Sequence, residues 1–424
     1  MNVLEKLDER ARQLLLTNDK GGFTVPTSGL YPYQWNWDSA LVALGFATFD
    51  ESRACREIET LFEAQWADGF VPHIIFRRND PDYFPGPSVW QAGESLPSSG
   101  ITQPPVVASV MLRLWHMTED ADIRDRLAAL VPMVMSWHRW FHRHRVLDGG
   151  GVIITHPWES GRDNSPEWDE PSADIDVSGV APYERRDLQH ADAAMRPTKL
   201  DYDRYIALVE FGRETGWDHG KIAAEGPFRV ADVGMTFILL RATRDLLVLA
   251  KESSQSELVS ELEDQVRRLE GCADLLWDDN RSTFCSRDVI TGRHSGHVTS
   301  ASFLYAYADI GSDVQRREMS EHFERLGRVS EFMLPSYDAE ATDFDDLRYW
   351  RGPVWIIVNY MVAKGFEECG LQDYADRIRT DSARLIAEHG FREAFSPVSG
   401  TGTGGDAFSW TAAMWLSWCR MSLA

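Results

Sequence analysis

The chain has 424 residues and a formal net charge of −23 at pH 7, an acidity that repels a phosphate backbone and argues against nucleic acid as a partner. Its five cysteines are scattered and include no Cys-x-x-Cys pair, which argues against a disulfide framework or a structural zinc site. The N-terminus lacks the apolar core of a secretion signal, and no run reaches the roughly 20 apolar residues of a membrane span. We therefore expect a cytoplasmic protein with no membrane contact and no cofactor, and a homo-oligomer stays open.

Helical periodicity dominates the chain, with a first helix expected to begin near Asn2 and another near Asp50. From Ser256 onwards apolar residues recur at three- and four-residue steps, with Glu and Arg on the opposite face. Other stretches are also predicted to be helical: 105–117, 123–143, 231–251, 353–368, 371–388 and 408–420. Pro132 is expected to bend the second of these stretches.

Long segments rich in Gly, Pro and Asp separate the helices, and loops of this length are uncommon unless they are functional. They cover residues 21–37, 67–104, 146–198, 277–298 and 389–407. Strand-like runs are short and do not alternate with helices, so a parallel α/β sheet is not expected. We predict one all-helical domain over residues 1–424, built from paired helices with loops gathered at one end, in which segments 67–104 and 164–200 form a lid or small subdomain.

Two segments of the chain contain candidate catalytic carboxyl groups. The loop from His156 to Pro166 holds two acids, an arginine, a histidine and a tryptophan within eight residues, and Glu393 stands before an aromatic residue and a Gly-rich run to Gly405. Hydrolysis of a glycoside needs two carboxyl groups on opposite sides of the anomeric carbon. On composition alone, however, the first segment could be a solvated turn and the second a helix end followed by a flexible connector.

A third segment, Tyr31 to Asp38, combines aromatic and polar residues. Asp38 could cap a helix that begins at Ser39, or it could bind two sugar hydroxyls. The 16 tryptophans of the chain leave a similar choice between core packing and a pocket that stacks apolar faces on sugar rings.

Three motifs, in the expected order, resemble glycoside hydrolase family 63. They are Gln34-Trp35-Asn36-Trp37-Asp38, Trp158-Glu159-Ser160-Gly161-Arg162-Asp163-Asn164-Ser165-Pro166 and Phe408-Ser409-Trp410-Thr411-Ala412-Ala413. The resemblance runs nearly end to end and is greatest to the compact bacterial mannosylglycerate and glucosylglycerate hydrolases. It implies an (α/α)6 toroid and an inverting, exo-acting hydrolysis of an α-glycoside. It also implies that Asp163 is the general acid and Glu393 the general base.

The same resemblance implies a set of substrate-binding residues. For the sugar they are Tyr33, Trp35, Trp37, Asp38, His73, Gln103, Trp158 and Gly161. A glycerate-like leaving group carries a carboxylate and needs cationic or hydroxyl donors, for which Arg196, Tyr202, Tyr349 and Trp350 are the candidates by resemblance. Without the resemblance, Arg196 could be part of a surface ion pair, and His73 could be a buried histidine whose hydrogen bonds are made within the core.

We therefore expect a small carbohydrate substrate, α-mannosyl- or α-glucosylglycerate, that is cleaved to free sugar and glycerate. An α-glucosidase for short oligosaccharides or trehalose-like disaccharides is the first alternative, and a non-catalytic sugar-binding toroid is the second. A metalloenzyme is not expected. His138, His142 and His144 lie on a helix rich in Arg and Trp, which favours a solvated basic face over a metal site.

Overall fold

The computed structural model describes residues 3–78, 80, 83–190 and 192–422. In chain order its helices are α1 (Val3–Asn18), α2 (Asn36–Phe46), α3 (Glu51–Phe62), α4 (Pro87–Trp90), α5 (Val107–Met117), α6 (Ala121–His144), α7 (Asp187–His190), α8 (Lys199–Glu214), α9 (His219–Glu225), α10 (Val233–Glu252), α11 (Val259–Glu270), α12 (Cys272–Leu276), α13 (Leu304–Tyr307), α14 (Asp313–Val329), α15 (Ile356–Glu368), α16 (Gln372–His389) and α17 (Ser409–Ser417). The predicted start of the first helix at Asn2 lies outside the described residues.

The strands are two residues long and pair only antiparallel. They are β1 (Gln34–Trp35), β2 (Ile74–Ile75), β3 (Ile153–Ile154), β4 (Val230–Ala231), β5 (Trp277–Asp278), β6 (Thr283–Phe284), β7 (Arg287–Asp288), β8 (Ala394–Phe395) and β9 (Gly402–Thr403). β1 pairs with β2, β5 with β6 and β8 with β9, while β4 lies between β3 and β7. β5–β6 and β8–β9 are hairpins within one connection, whereas β1–β2 and β3–β4–β7 join separate loops.

Six helices form a closed inner ring. α2 packs against α5, α5 against α10, α10 against α13, α13 against α15, α15 against α17, and α17 against α2. These helices are apolar around most of their circumference, as helices enclosed by others must be, and every residue of α2 is buried. The outer helices α1, α3, α6, α11, α14 and α16 alternate with them along the chain, and α3 and α11 are amphipathic, with buried faces that include Ile58 and Leu262. This is the predicted (α/α)6 toroid.

The helical stretches predicted from periodicity all correspond to helices, but two long helices fall outside them. α8 has little separation of polar from apolar residues around its axis, so its period is weak. α14 begins with a capping box at Ser312 and buries only Met319, Phe323 and Leu326 among many charged residues. In the described part of the chain, no helix has both the length and the apolar character needed to cross a bilayer.

Candidate active site

One cavity lies where the connections before the inner helices α2, α5, α10, α15 and α17 meet. It encloses about 730 Å³ of empty space, including open solvent at its mouth. Its walls combine aromatic rings with a few charged groups. The lining residues are Pro26, Tyr31, Trp35, Trp37, Asp38, His73, Ile74, Tyr83, Pro85, Gln103, Trp158, Gly161, Asp163, Arg196, Pro197, Tyr202, Tyr349, Trp355, Glu393, Phe408 and Trp410.

Asp163 reaches the cavity from the loop between β3 and β4. A short 3-10 helix, Pro157–Ser160, begins there, and His156 caps it by accepting a hydrogen bond from the Trp158 N–H. The helix ends at Gly161 in the left-handed region with φ +69°, where an added Cβ would lie 2.5 Å from the Trp37 ring. This turn directs Asp163 inward, and the Tyr205 hydroxyl fixes its backbone by donating to the carbonyl oxygen at 2.7 Å.

The arginine before Asp163 anchors the same loop from behind. Arg162 is buried and donates from Nη1 to Glu167 at 2.5 Å and from Nη2 to Asp232 at 2.8 Å. Its carbonyl oxygen accepts from the Trp168 indole N–H at 2.7 Å. Because a buried cation needs compensating charge, this Arg between two carboxylates is a structural element of the loop rather than a ligand group.

Glu393 enters the cavity from the connection between α16 and α17. Its Oε1 accepts from the Tyr31 hydroxyl at 3.1 Å and its Oε2 from the Gly405 N–H at 2.7 Å. Its carbonyl oxygen accepts from the Trp410 indole N–H at 3.2 Å, so the Phe408–Trp410 motif holds the backbone of this acid. The side chain is almost fully buried, at 1% exposure.

Arg196 lies beside Glu393 and is buried, so it is not the surface ion pair that composition allowed. Its Nη2 donates to the Tyr31 hydroxyl at 2.8 Å, its Nε donates to Asp187 at 3.1 Å, and its guanidinium lies 4.2 Å from the centre of the Tyr349 ring. Its Nη1 is 3.7 Å from Glu393 Oε2 and has no hydrogen-bond partner among the described residues. Arg196 therefore lines the cavity as a cation with one unused donor beside Glu393.

Burial raises the pKa of both acids above that of ordinary carboxyl groups. For Asp163, burial and the charge of Glu393 outweigh the attraction of Arg196 and raise the pKa to about 7. Burial also raises the pKa of Glu393, while Arg196 and hydrogen bonds from Gly405 and Tyr31 oppose the rise. Both acids therefore bind a proton more readily than an ordinary carboxyl group, and Glu393 has a cation and hydrogen-bond donors beside it that favour its charged form.

Most of the residues predicted to bind sugar line the same cavity. His73 and Trp158 have nearly parallel rings with centroids 6.2 Å apart, and His73 Nδ1 is 2.7 Å from Ser99 Oγ. Gln103 Oε1 accepts from the Trp37 N–H at 3.3 Å. Burial lowers the pKa of His73 well below its usual value, so its ring is neutral.

Asp38 is not the helix cap that the sequence also allowed. α2 begins at Asn36, so Asp38 lies in its first turn, and Trp35 occupies the cap position without a side-chain hydrogen bond. The carboxyl group lines the cavity, where burial and the charge of Glu393 raise its pKa well above the usual value. A protonated Asp38 can donate as well as accept hydrogen bonds.

Comparison with known proteins gives this cavity its context. The sequence profile of the family described as the mannosylglycerate hydrolase MGH1-like glycoside hydrolase domain matches residues 31–411. The chain belongs to this family. Mannosylglycerate hydrolase MGH1 of Selaginella moellendorffii is 43% identical over 97% of the chain and 85% of its own length. The glucosylglycerate hydrolase of Mycolicibacterium hassiacum is 31% identical over 97% of both proteins.

A solved structure agrees. The crystal structure of the family 63 mannosylglycerate hydrolase from Thermus thermophilus, in complex with Tris and D-glycerate, superposes with a TM-score of 0.94 at 43% identity. The match covers 97% of this chain and 99% of that one. The resemblance to glycoside hydrolase family 63, the toroidal fold and the enzyme class predicted from the sequence are therefore confirmed.

In this family member, two of the predicted substrate-binding residues do not line the cavity. Tyr33 is buried behind it, with its ring edge-on to Phe76 and Tyr83. Trp350 stacks on Trp355 with centroids 3.9 Å apart, so that Trp355 is the ring at the cavity surface. The other predicted residues, including Tyr202, Tyr349 and Gly161, do line it.

Several lining residues of this glycoside hydrolase were not predicted. Tyr31, Phe408 and Trp410 lie within the motifs that carried the resemblance or directly beside them, so their signal was present in the sequence. Tyr83 lies in the segment 67–104, where no local pattern distinguishes it from its neighbours. It reaches the cavity because the adjacent Phe84 stacks on a distant residue, Tyr183, at 4.7 Å.

The histidines of α6 are not the solvated face that their neighbours suggested. His138 is fully buried with Nδ1 3.1 Å from Thr243 Oγ1, and burial lowers its pKa to about 3. His142 is half-buried, and burial lowers its pKa to about 4. Within the described residues, no group of three or more His, Cys, Asp or Glu side chains is arranged to hold a metal ion.

Proposed function

We propose that this glycoside hydrolase cleaves an α-mannosyl- or α-glucosylglycerate with inversion, using Asp163 as general acid and Glu393 as general base. The observation that carries the proposal is that these two carboxyl groups, from loops far apart in the chain, line one cavity. They differ in their surroundings, which is how an enzyme assigns opposite proton-transfer roles to two carboxyls.

In the proposed reaction Asp163 gives its proton to the glycosidic oxygen as the bond from the anomeric carbon to that oxygen breaks. Glu393 takes a proton from a water molecule, whose oxygen attacks the anomeric carbon from the opposite face. The pKa of about 7 keeps Asp163 partly protonated at neutral pH. The charge of Arg196 and the hydrogen bonds from Gly405 and Tyr31 favour the ionised form of Glu393 against the effect of burial. The products are glycerate and a hexose of inverted anomeric configuration.

The proposed leaving group follows from the chemistry around Arg196. Relatives that are 43% and 31% identical are mannosylglycerate and glucosylglycerate hydrolases, and a solved relative contains D-glycerate. A glycerate carboxylate needs a cation and hydroxyl donors. The unused Nη1 donor of Arg196 and the hydroxyls of Tyr202 and Tyr349, which line the same cavity, supply both.

The acid and base roles are tested by Asp163→Asn and Glu393→Gln. Each should lower kcat by at least about 10²-fold, because general acid–base catalysis contributes that much or more, while circular dichroism stays unchanged. Asp169→Asn is the matched control, because this exposed aspartate of the same loop only pairs with Arg351 at the surface. Near-normal turnover in Asp163→Asn would remove that residue from the acid role.

The stereochemistry and the substrate are tested separately. Proton NMR of the first-formed hexose should show the β-anomer from an α-glycoside, and a retained α-anomer would reject the scheme with one water and two carboxyls. A panel of mannosylglycerate, glucosylglycerate, trehalose and a short α-glucoside should give the highest kcat/KM on a glycosylglycerate. Preference for trehalose would favour an α-glucosidase, and no turnover of any compound would favour a sugar-binding toroid.

We also propose that residues 1–424 act as one catalytic domain in the cytoplasm and that segments 67–104 and 164–200 cover the cavity during turnover. The contact between the two segments supports this role. Phe84 stacks on Tyr183 with an interplanar angle of 8°, and Arg186 binds Asp80 at 2.9 Å. Limited proteolysis tests whether these segments cover the cavity, since bound glycosylglycerate should slow cleavage within them.

A further inference from the structure

The turn that follows β9 contacts the Glu393 carboxylate directly. β8 and β9 form an antiparallel hairpin in which Ala394 lies opposite Thr403. Beyond this pair, the Glu393 N–H donates to the Gly405 carbonyl oxygen at 2.9 Å, and the Gly405 N–H donates to Glu393 Oε2 at 2.7 Å. One residue of the turn therefore binds both the backbone and the carboxylate of the same acid.

The preceding glycine leaves no room for a side chain. Gly404 has φ +68°, and an added Cβ would lie 2.8 Å from Glu393 Cδ, 3.0 Å from its Cβ and closest of all to Oε2. This crowding is specific to the position. Gly370 has a similar φ of +77° but nothing within 4 Å of an added Cβ. A methyl group at Gly404 must therefore displace the carboxylate as well as strain the backbone.

The other carboxylate oxygen is held from a different part of the chain. Oε1 accepts from the Tyr31 hydroxyl at 3.1 Å, and Tyr31 itself accepts from Arg196 at 2.8 Å. With Oε1 held by Tyr31 and Oε2 held by Gly405, the carboxylate cannot rotate without losing a hydrogen bond. A hydrogen bond to an ionised carboxylate is stronger than a neutral one, so this arrangement favours one orientation.

We propose that Gly404 and Gly405 form a backbone clamp that fixes the orientation of the Glu393 carboxylate toward the attacking water. Gly405 supplies the N–H donor, and Gly404 supplies the space in which the carboxylate packs against the turn. Both are positioning residues, because neither touches the reacting atoms. The inference rests on the proposed function to the extent that Glu393 is the general base.

Gly404→Ala tests the clamp. It should lower kcat by about 10²-fold with little change in KM, because a displacement of about 1 Å in a reacting group costs this much. The acid limb of the kcat/KM profile should move to higher pH, since the hydrogen bond from Gly405 lowers the pKa of Glu393 and its loss raises that pKa. Gly370→Ala is the matched control for positive φ and should keep the wild-type kcat and pH profile. If Gly404→Ala kept the wild-type kcat and the acid limb of its kcat/KM profile did not move, the clamp would be overturned.

A double variant separates positioning from general damage. In a Glu393→Gln background, Gly404→Ala should lower the residual rate no further, because both changes act on the same group. An equal fold-loss in both backgrounds would overturn the proposal. If Gly404→Ala is too unstable to assay, Gly404→Ala with Glu393→Ala should have a higher Tm than Gly404→Ala alone, since the carboxylate atoms nearest the added methyl group are gone. An equal or lower Tm would count against the clamp.

The clamp and the proposed function can fail independently. Glu393→Gln with wild-type turnover would reject Glu393 as the base, and the clamp would then have no catalytic group to position. An inactive Glu393→Gln together with a fully active Gly404→Ala would reject the clamp alone.

Discussion

The guanidinium of Arg196 lies beside the carboxylate of Glu393, with Nη1 3.7 Å from Oε2 and both side chains buried. Among the described residues that line the cavity, Arg196 is the sole Arg or Lys. The same cavity holds three carboxyl groups, those of Asp38, Asp163 and Glu393. Burial raises the pKa of all three acids, the charge of Glu393 raises those of Asp38 and Asp163 further, and Arg196 opposes the rise at Asp163 and Glu393. Arg196 therefore influences the proton state of both proposed catalytic acids in addition to any contact with substrate.

Replacing Arg196 with Gln should change both pH dependence and substrate preference. Loss of its charge raises the pKa of Glu393, so the acid limb of the kcat/KM profile should move to higher pH. KM should rise by about 10-fold or more for a glycosylglycerate, because a charge-assisted contact is lost, and much less for a neutral glycoside of the same hexose. Kinetics on both substrates across pH measure these effects.

The control for this variant is Arg186→Gln. Arg186 lies in the same segment but does not line the cavity, and it pairs with Asp80 at 2.9 Å. It should leave the pH limb and the ratio of the two KM values unchanged. If the acid limb of the kcat/KM profile stayed in place in Arg196→Gln and KM changed equally for both substrates, the role of Arg196 in binding glycerate and in setting the pKa of Glu393 would be contradicted.

The wild-type enzyme should show a bell-shaped dependence of kcat/KM on pH. Activity should fall on the acid side as Glu393 gains a proton, at a pH above the usual range for a glutamate because burial raises its pKa. It should fall on the basic side as Asp163 loses its proton, near its pKa of about 7. The two apparent values belong to the interacting pair and not to either residue alone. Rates that stay constant well above neutral pH would contradict Asp163 as the acid.

Both acids named from the motifs line the cavity, and part of what positions each of them is local in the sequence. Gly161 and the 3-10 turn before it direct Asp163 inward, and these residues are contiguous in the sequence. The hairpin that holds Glu393 is likewise built from neighbouring segments. Local turn chemistry of this kind can be read from residue types at fixed spacing.

The orientation of aromatic rings could not be predicted in the same way. Tyr33 and Trp350 were both predicted to bind substrate, yet their rings pack behind the cavity wall against Tyr83 and Trp355. Which ring of a packed pair faces the cavity depends on contacts between distant segments. The stacking of Phe84, adjacent to Tyr83, on Tyr183 is one such contact. Composition left a choice between core packing and an aromatic pocket, and it could not identify which aromatic residues line the cavity.

The second acid of the catalytic loop, Glu159, should matter for stability. It does not line the cavity; its Oε1 accepts from Arg145 Nη2 at 3.1 Å, and its Oε2 accepts from the Thr155 N–H at 2.7 Å. Both members of the pair are about 1% exposed. Glu159→Gln would leave a buried arginine without a counter-charge, which should lower the free energy of unfolding by about 3–5 kcal/mol.

Glu261→Gln is the matched control for this change. Glu261 also pairs with an arginine, Arg139, at 2.6 Å, but the two side chains are 43% and 41% exposed. Solvent screens such a pair, so its loss should cost at most about 1 kcal/mol. Urea denaturation at pH 7, followed by tryptophan fluorescence, gives both values. If the two variants lost equal stability, Glu159 would not be a buried structural anchor, and the loop that carries Asp163 would have to be held mainly by Arg162 with Glu167 and Asp232.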